Sequence, residues 1–299
     1  MIRIQNVSKS FEDFQALKDL DLHVKKGSIY GLVGVNGSGK TTLIKHLTGV
    51  FRPDKGDILI DGQPVFDNIS IKERIGYISD DLFFFAMYNL KDSSRFYSKL
   101  YPRWNQERYR HMLQQFGLSE KKKLSRFSKG MQKQAAFILA MSSMPDVLVL
   151  DEPIDGLDPI VRKKVMKYIV EDVSERDMTV LVSSHNLKEM EGICDSIGIL
   201  NQGRMVIERD LDELKSGISK VQAVFPREAG QEPWKGLNVL FHEKRGSVDL
   251  LIIKGETQQV EAALLKAKPV IMDLLPLTLE EIFIYEMGGD NDELKEILF

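Results

Sequence analysis

The sequence predicts an α/β protein with a mainly parallel sheet and a small α+β domain at its C-terminal end. A short apolar run at 29–33 leads through a glycine-rich loop into helix-forming residues at 42–47, which is a strand–loop–helix pattern. Two more apolar runs, at 147–150 and 179–182, are separated by a helical stretch around 162–173. Strands that alternate with helices favour a parallel sheet whose faces are both covered.

Two further segments complete the predicted organisation of the larger domain. Residues 1–65 combine short strand-like runs with turn clusters. Residues from about 82 to 145 carry apolar side chains at helical spacing, through 109–116 and again through 135–144. We therefore expect a helical subdomain at about 82–145 inside a domain that covers 1–215.

Residues 216–299 are expected to form a separate accessory domain. Short strand-like runs at 221–225, 239–241 and 248–253 indicate a small α+β unit. The last stretch, 290–299, is predicted to be a short helix or a frayed end. Because this region contains no metal-ligand spacing and no nucleophile–base pair, we interpret it as a module for stability or dimerisation.

Composition limits the classes of partner. The formal net charge of −3 and the pI of about 6.0 provide no basic field that would attract nucleic acid, so no direct nucleic-acid partner is expected. The one cysteine, Cys194, excludes an internal disulfide and fits a reducing cytosol. No run approaches the roughly 20 apolar residues that cross a bilayer. A role at a membrane would therefore depend on a partner.

Residues 34–41 read Gly-Val-Asn-Gly-Ser-Gly-Lys-Thr and form a complete P-loop motif. The glycines let backbone N–H groups turn toward a phosphate chain, and the N-terminus of the following helix adds a partial positive charge. Lys40 would reach the β- and γ-phosphates, while the Thr41 hydroxyl would hold Mg²⁺. We therefore predict that a nucleoside triphosphate binds, with Mg²⁺, through Gly34, Asn36, Gly37, Ser38, Gly39, Lys40, Thr41 and Thr42.

A second motif, Val147–Pro153, is an apolar strand that ends in two carboxylates. In an open α/β sheet, ligands lie beyond the carboxyl ends of the strands, which is where the P-loop holds its phosphates. Asp151 is of the right type and position to bind Mg²⁺. Glu152 suits a base that accepts a proton from a water attacking the γ-phosphate. The alternative is a strand end with two solvent-facing acids.

Several further motifs occur in an order that resembles the ATP-binding subunits of ABC (ATP-binding cassette) transporters, over residues 1–215. Ser128–Gln132 occupies the place of the family's signature sequence, shortly before the strand that ends in carboxylates. Gly156–Asp158 resembles the family's D-loop. His185 matches the position of its switch histidine, and Phe11 matches the position of the aromatic residue that stacks on adenine. A structural histidine and a core aromatic are the alternatives for His185 and Phe11. The resemblance implies a P-loop NTPase fold of the ABC type, with a mainly parallel sheet core, an antiparallel β subdomain, a helical subdomain and ATP as the nucleotide.

The resemblance also implies roles for these residues. Ser128 and the Gly130 N–H would bond the γ-phosphate held by the P-loop of another subunit, at a helix start where anions are favoured. An ordinary helix N-cap is compatible with that role of Ser128. His185 would bond the γ-phosphate and orient the attacking water through Glu152, so these two are the expected catalytic residues. Asp158 would lie close to the nucleotide and cap a helix or bridge the subunit interface.

The chain departs from the family's pattern at two places. Asp80 stands about where the family has a glutamine that contacts Mg²⁺. A carboxylate can still ligate this ion, so we expect a metal site formed by Thr41, Asp80 and Asp151, with altered coupling to the partner. The signature segment differs from the usual one at Phe127, Lys129 and Met131.

Residues 82–88 are mostly apolar and aromatic, and they have two interpretations. They belong either to the core of the helical subdomain or to a partly exposed apolar groove that receives a cytoplasmic helix of a membrane subunit. The exposure of these side chains distinguishes the two.

Taken with the resemblance, the motifs predict an ATPase subunit that powers an ABC transporter. Two copies, or one copy and a related subunit, would sandwich two MgATP molecules; binding closes the dimer, and hydrolysis reopens it and drives a transmembrane permease. Residues 96–104 resemble a bacterial exporter branch associated with antibiotic or cell-envelope stress, so export is expected, from a cytoplasmic position peripheral on the inner face of the cell membrane. The alternative is a non-transport ABC ATPase that acts on ribosomes or nucleic acid, or in regulation.

Overall fold

The chain divides into two compact units, Met1–Glu208 and Arg209–Phe299. The computed structural model describes residues 1–153, 155–226 and 232–286. The division between the units falls before the expected boundary between residues 215 and 216. The predicted short helix or frayed end at 290–299 lies outside the described residues.

Within the described residues, the first unit folds around two sheets. Its strands are β1 (Ile2–Phe11), β2 (Phe14–Val24), β3 (Ile29–Val33), β4 (Lys55–Ile60), β5 (Gln63–Pro64), β6 (Ile75–Ile78), β7 (Val147–Asp151), β8 (Thr179–Ser184), β9 (Ser196–Asn201) and β10 (Arg204–Asp210). Its helices are α1 (Lys40–Leu47), α2 (Ile69–Lys72), α3 (Leu90–Leu100), α4 (Gln106–Phe116), α5 (Lys129–Ser142), α6 (Pro159–Arg176) and α7 (Leu187–Met190).

The central sheet has the strand order β10-β9-β3-β8-β7-β6. Strand β3 pairs in parallel with β8 and β9, and β7 pairs in parallel with β6 and β8. Every residue of β3, β7 and β8 is buried, as expected for strands covered on both faces. The predicted parallel sheet is confirmed, and the carboxyl ends of these strands meet at one edge.

The other sheet of the first unit is antiparallel, with the order β2-β1-β4-β5. Apolar side chains from β1, β2 and β4 join those of α1 and the central strands in one buried cluster. Ile2, Ile4 and Val24 belong to this cluster and are at most 1% exposed. The antiparallel β subdomain is therefore present next to the parallel sheet, as expected.

Three of the helices, α3, α4 and α5, lie in the chain between β6 and β7. Each begins at a polar cap, because the side chains of Asn89, Asn105 and Ser128 accept hydrogen bonds from backbone N–H groups in the first turn. Helix α5 ends at Ser142, and Met144 has a φ of +54°. The helical stretch predicted to reach 144 was therefore too long, since a left-handed residue cannot continue an α-helix.

The segment 82–88 precedes α3 and is largely exposed. Phe83 is 83% exposed, Phe85 46% and Met87 70%. The ring of Phe85 packs edge-on against Phe83 and Phe96, with centroids 5.9 and 5.6 Å away. The interpretation of this segment as subdomain core was wrong, because Phe83, Phe85 and Met87 are exposed and no residue of 82–88 is fully buried.

The second unit is a small α+β structure, as predicted. Its elements are α8 (Leu211–Ser216), β11 (Ile218–Val224), β12 (Asn238–Arg245), β13 (Val248–Lys254), α9 (Thr257–Leu265), β14 (Ile271–Leu275) and α10 (Leu279–Glu286). The strands form an antiparallel sheet in the order β12-β13-β11-β14. Alternate residues of β11 and β13 pack with Trp234 and with Val260 and Leu264 of α9 in a separate core.

Candidate nucleotide-binding site

The loop between β3 and α1 has the backbone geometry expected of a phosphate-binding loop. Gly37 and Gly39 have φ angles of +82° and +111°. A Cβ atom at position 39 would also lie only 2.9 Å from the Ala16 carbonyl oxygen, so glycine is required there. Helix α1 begins directly after Gly39 and has no side-chain N-cap. The first N–H groups of α1 are therefore available to an anion.

Lys40 is buried at this loop, with its ammonium turned toward loop carbonyls. Nζ donates to the carbonyl oxygens of Gly34 and Val35, at 2.6 and 3.3 Å, and lies 3.6 Å from Oε1 of Glu152. Burial lowers the pKa of Lys40, while the carboxylates of Glu152 and Asp151 oppose that change. A phosphate is a stronger acceptor than a neutral carbonyl, so the ammonium is placed to exchange these partners for a phosphate oxygen.

One buried hydroxyl joins the two carboxylate residues at the end of β7. Ser183 Oγ donates to Asp151 Oδ1 at 2.6 Å and accepts from the Glu152 N–H at 3.1 Å. Asp151 and Ser183 are 1% and 0% exposed. Glu152 has a φ of +48°, a left-handed conformation that persists in a non-glycine residue only where its surroundings hold it. The strand end is thereby fixed with the Glu152 side chain approaching Lys40.

His185 follows β8 and lies beside the same glutamate. Its Nδ1 atom is 3.0 Å from Oε2 of Glu152, which is a hydrogen bond when Nδ1 carries the ring proton. The His185 side chain is 52% exposed, whereas that of Glu152 is 14% exposed. One carboxylate is therefore flanked by the Lys40 ammonium and a solvent-facing imidazole.

These elements border a cavity of about 320 Å³, within the range of roughly 300–1,000 Å³ found for small-molecule sites. Eight of the predicted site residues are among its ten lining residues. The lining residues are Phe14, Ala16, Asn36, Gly37, Gly39, Lys40, Thr41, Thr42, Asp80 and Glu152. The structure thus brings the P-loop, the glutamate and the aspartate after β6 into one cavity.

The oxygen atoms at this cavity fit a hard divalent cation. Thr41 offers an exposed hydroxyl and Asp80 an exposed carboxylate at the cavity. Asp151, a buried carboxylate fixed by Ser183, is not a lining residue but directly precedes the lining residue Glu152. Oxygen ligands of this type are those that Mg²⁺ prefers. Within the described part of the chain, no three or more His, Cys, Asp or Glu side chains form a metal site by themselves.

The structure separates Phe11 from this cavity and places Phe14 on it. The two residues are cross-strand neighbours at the end of the β1–β2 hairpin. Phe14 is 64% exposed and lines the cavity. Phe11 instead packs edge-on against Phe51, with ring centroids 5.3 Å apart, and it is not among the lining residues. The aromatic surface at the cavity is therefore that of Phe14.

Ser128, Gly130 and Asp158 are also outside the cavity lining. Ser128 is exposed at the start of α5, where its Oγ accepts from the Met131 N–H at 3.3 Å. A Cβ at Gly130 would be 3.3 Å from the Gly156 carbonyl oxygen. Asp158 caps α6 through two backbone N–H groups, both at 3.0 Å. Ser128 and Asp158 thus cap helices, and Gly130 lies close to the backbone of Gly156. None of the three lines the P-loop cavity of its own chain.

Comparison with known proteins establishes the family. The sequence profile of a family described as ABC transporter matches residues 17–155. The ABC transporter ATP-binding protein YtrB of Bacillus subtilis (strain 168) is 32% identical over 97% of this chain and 99% of its own length. The chain belongs to the ABC transporter ATP-binding proteins. This ABC protein is also 34% identical to the bacitracin transport ATP-binding protein BcrA of Bacillus licheniformis, over 72% of the chain and 71% of BcrA.

A solved structure agrees with this assignment. An ATP-binding subunit of an ABC transporter superposes with a TM-score of 0.67 at 27% identity, covering 72% of this chain and 92% of that subunit. The predicted P-loop NTPase fold of the ABC type is therefore confirmed. This ABC protein is an ATPase of the transport family, and ATP is its nucleotide. Within the described ranges, none of its helices combines the length and the apolar character needed to span a bilayer.

Three side chains of this ABC ATPase at the site were not predicted from sequence. Phe14 was overlooked because a second aromatic, Phe11, stands on the same hairpin. Ser183 lies in the strand before His185, and a serine inside an apolar strand was the available signal. Lys133 has Nζ 2.9 Å from the Glu152 carbonyl oxygen and 3.2 Å from Asp80 Oδ1. Nothing local in the sequence indicates this tertiary contact.

Proposed function

We propose that this chain is the ATP-hydrolysing subunit of an ABC exporter and that Glu152 is its catalytic base. The observation that carries this proposal is the position of the Glu152 carboxylate, 3.6 Å from Lys40 Nζ and 3.0 Å from His185 Nδ1, at the cavity beside the P-loop. A base within reach of the phosphate-binding lysine can accept the proton of a water that attacks the γ-phosphate.

The P-loop and Lys40 position the triphosphate. The N–H groups at the start of α1 and the Lys40 ammonium face the same cavity and would neutralise the phosphate charge. His185 would orient the attacking water together with Glu152. Thr41, Asp80 and Asp151 would hold Mg²⁺, which supplies charge neutralisation at the phosphates when bound. Catalysis in this arrangement is mainly positioning and electrostatic stabilisation.

We assign the adenine to the hairpin between β1 and β2. Phe14 lines the cavity with a largely exposed ring, so this ring supports adenine stacking better than Phe11. Phe11 is already in contact with Phe51. This replaces the assignment that the family resemblance favours, and the two positions are compared directly below.

A second cassette, identical or related, would complete each ATP site. Ser128 and Gly130 lie at the start of α5, away from the P-loop cavity of their own chain. A helix start with an exposed serine suits a γ-phosphate presented by a partner. Asp158, exposed at the start of α6, would lie at the same interface. ATP binding would close this dimer, and hydrolysis would reopen it.

The membrane partner would be a transmembrane permease that docks on residues 82–88. Phe83, Phe85 and Met87 form an exposed apolar surface directly after Asp80, so a helix seated there would lie near the nucleotide cavity. The likeness to BcrA, a bacitracin transport ATP-binding protein, supports transport of an antibiotic, and we propose export as its direction. The chain would then sit in the cytoplasm, peripheral on the inner face of the membrane.

We also propose a functional division of the chain. Residues 1–215 would form the ATP-binding domain, with its helical subdomain at about 82–145, and residues 216–299 an accessory domain. The second unit has its own sheet and its own buried core, which supports an independently folded module for stability or dimerisation.

The experiment that tests this function is a pull-down of tagged E152Q from native membranes with MgATP. A co-purifying multi-spanning membrane protein supports the transporter assignment. A matched protein that carries E152Q with F83S and M87S should bind ATP equally well and lose that partner. A cassette dimer without a membrane protein, or with ribosomes attached, would favour the non-transport class instead.

A further inference from the structure

Two neighbouring loops at the carboxyl edge of the parallel sheet carry Asp80 and Glu152. Strands β6 and β7 pair in parallel with Ile78 opposite Leu150, so Asp80 and Glu152 each lie two residues beyond the last pair. Both residues line the cavity beside the P-loop. The side chain that connects these two loops comes from a helix outside both of them.

That side chain is Lys133, in the second turn of α5. Its Nζ donates to Asp80 Oδ1 at 3.2 Å and to the Glu152 main-chain carbonyl at 2.9 Å. The Lys133 side chain is 12% exposed, whereas that of Asp80 is 56% exposed. A mostly buried ammonium therefore has one fixed carbonyl partner and one carboxylate partner that remains open to solvent.

The peptide groups around Glu152 are anchored on both sides by side chains. Its N–H donates to Ser183 Oγ at 3.1 Å, and its carbonyl accepts from Lys133. The φ of +48° at Glu152 is a conformation that the surroundings must determine. These two anchors set the direction of the carboxylate, which ends 3.6 Å from Lys40.

We propose that Lys133 is a positioning residue that holds Glu152 for hydrolysis and competes with the divalent cation for the Asp80 carboxylate. This inference rests on the proposed function, in which Asp80 approaches the cation that arrives with ATP. A carboxylate that ligates a cation attracts an ammonium less strongly, and the two positive charges repel. The Glu152 carbonyl then becomes the principal acceptor for Lys133. Cation binding and the placement of Glu152 are coupled through one side chain.

The test compares K133M with K164M. Lys164 Nζ also donates to a main-chain carbonyl, that of Gln115 at 2.9 Å, but Lys164 is not part of the cavity lining. Binding of Mn²⁺ to each protein with a non-hydrolysable ATP analogue is measured by EPR, so the readout needs no turnover. We expect K133M to bind Mn²⁺ about two to five times more tightly than the wild type, on the scale of an ion pair in which one partner, here Asp80, is exposed. K164M should match the wild type.

Two further variants separate competition from positioning. In K133M, kcat at saturating Mg²⁺ should fall about tenfold, because the Glu152 carbonyl loses a charged donor. K133Q should bind Mn²⁺ as tightly as K133M and retain more of kcat, since its amide can still donate to that carbonyl. In a D80N background, K133M should no longer change the Mn²⁺ affinity.

The inference is overturned if neither K133M nor K133Q changes the Mn²⁺ affinity. It is also overturned if K133M tightens Mn²⁺ binding as much in the D80N background as in the wild type. If K133M does not fold, the Mn²⁺ affinity of K133Q is compared with that of the wild type instead. Failure of the proposed function has a different signature, because the wild-type protein would then neither bind Mn²⁺ with the nucleotide nor hydrolyse ATP.

Discussion

His185 Nδ1 lies 3.0 Å from Oε2 of Glu152, and the imidazole is the more exposed partner of the two, at 52% against 14%. The glutamate is held by its neighbours, with its N–H on Ser183 and its other carboxylate oxygen 3.6 Å from Lys40 Nζ. His185 is not among the residues that line the cavity, and it lies beside the lining residue Glu152. Glu152 is therefore the fixed partner of the pair, and His185 is the partner that can reorient toward a water or a phosphate.

Replacing His185 with alanine should lower kcat by about a hundredfold or more, as expected for the loss of a group that assists proton transfer. ATP affinity should change little, because the P-loop contacts remain. Steady-state ATPase rates and equilibrium ATP binding separate the two effects. H111A is the matched control, since His111 contacts Tyr168 at 3.4 Å, away from the cavity. If H185A hydrolysed ATP at the wild-type rate, the catalytic role assigned to His185 would be wrong.

The pH dependence of ATP binding should report on Lys40. Burial lowers the pKa of Lys40, so this ammonium loses its proton at a lower pH than an ordinary lysine. ATP affinity should stay constant while Lys40 is charged and weaken as the pH rises through that lowered pKa. The dissociation constant of ATP is measured from about pH 7 to about pH 10, so that the series ends close to the usual pKa of a lysine. K40R keeps its charge throughout, so a parallel loss in wild type and K40R would contradict this assignment.

The two hairpin aromatics make opposite predictions. F14A should weaken ATP binding about fivefold or more, since stacking of one base on an aromatic ring contributes about 1–3 kcal/mol. F11A should leave ATP affinity nearly unchanged and lower the melting temperature, because it removes the edge-on contact with Phe51. Equilibrium binding of ATP and thermal unfolding of both variants provide the comparison. If F11A lost more ATP affinity than F14A, adenine stacking would have to be assigned to Phe11 instead of Phe14.

Ser183 should matter for catalysis as well as for stability. S183A leaves the Asp151 carboxylate and the Glu152 N–H without their shared partner, so kcat should fall about tenfold and the free energy of unfolding by about 1–3 kcal/mol. The control is S142A, in which another buried hydroxyl loses only its bond to the Ile138 carbonyl. Both variants are expected to lose stability, whereas only S183A should lose turnover. Equal kcat values in the two variants would contradict the positioning role.

Local sequence determines the parts of the site that are contiguous in the chain. The P-loop could be predicted because its glycines, lysine and threonine occur together between an apolar strand and a helix. Asp151 and Glu152 could be placed near it because parallel strands end at the same edge of a sheet. The structure brings Lys40 and Glu152 within 3.6 Å of each other.

Contacts between distant segments could not be predicted. The lysine of α5 that joins Asp80 to Glu152 is an ordinary helical residue in the sequence, and only the packing of α5 against the sheet turns Lys133 to that position. Phe11 and Phe14 share a hairpin, and the choice between them depends on which ring is already covered by Phe51. The end of α5 was overestimated because Met144 fits a helical pattern but adopts a positive φ.

The most direct measurement of the central claim is phosphate release by E152Q, with ATP binding measured on the same protein. Glu152 is predicted to be the base, so E152Q should bind ATP like the wild type and hydrolyse it slower by a factor on the order of 10² to 10⁴. E175Q, which alters an exposed glutamate of α6, should match the wild type in both measurements. Normal phosphate release by E152Q would contradict the account, because a glutamine amide cannot serve as the base that takes the proton of the attacking water.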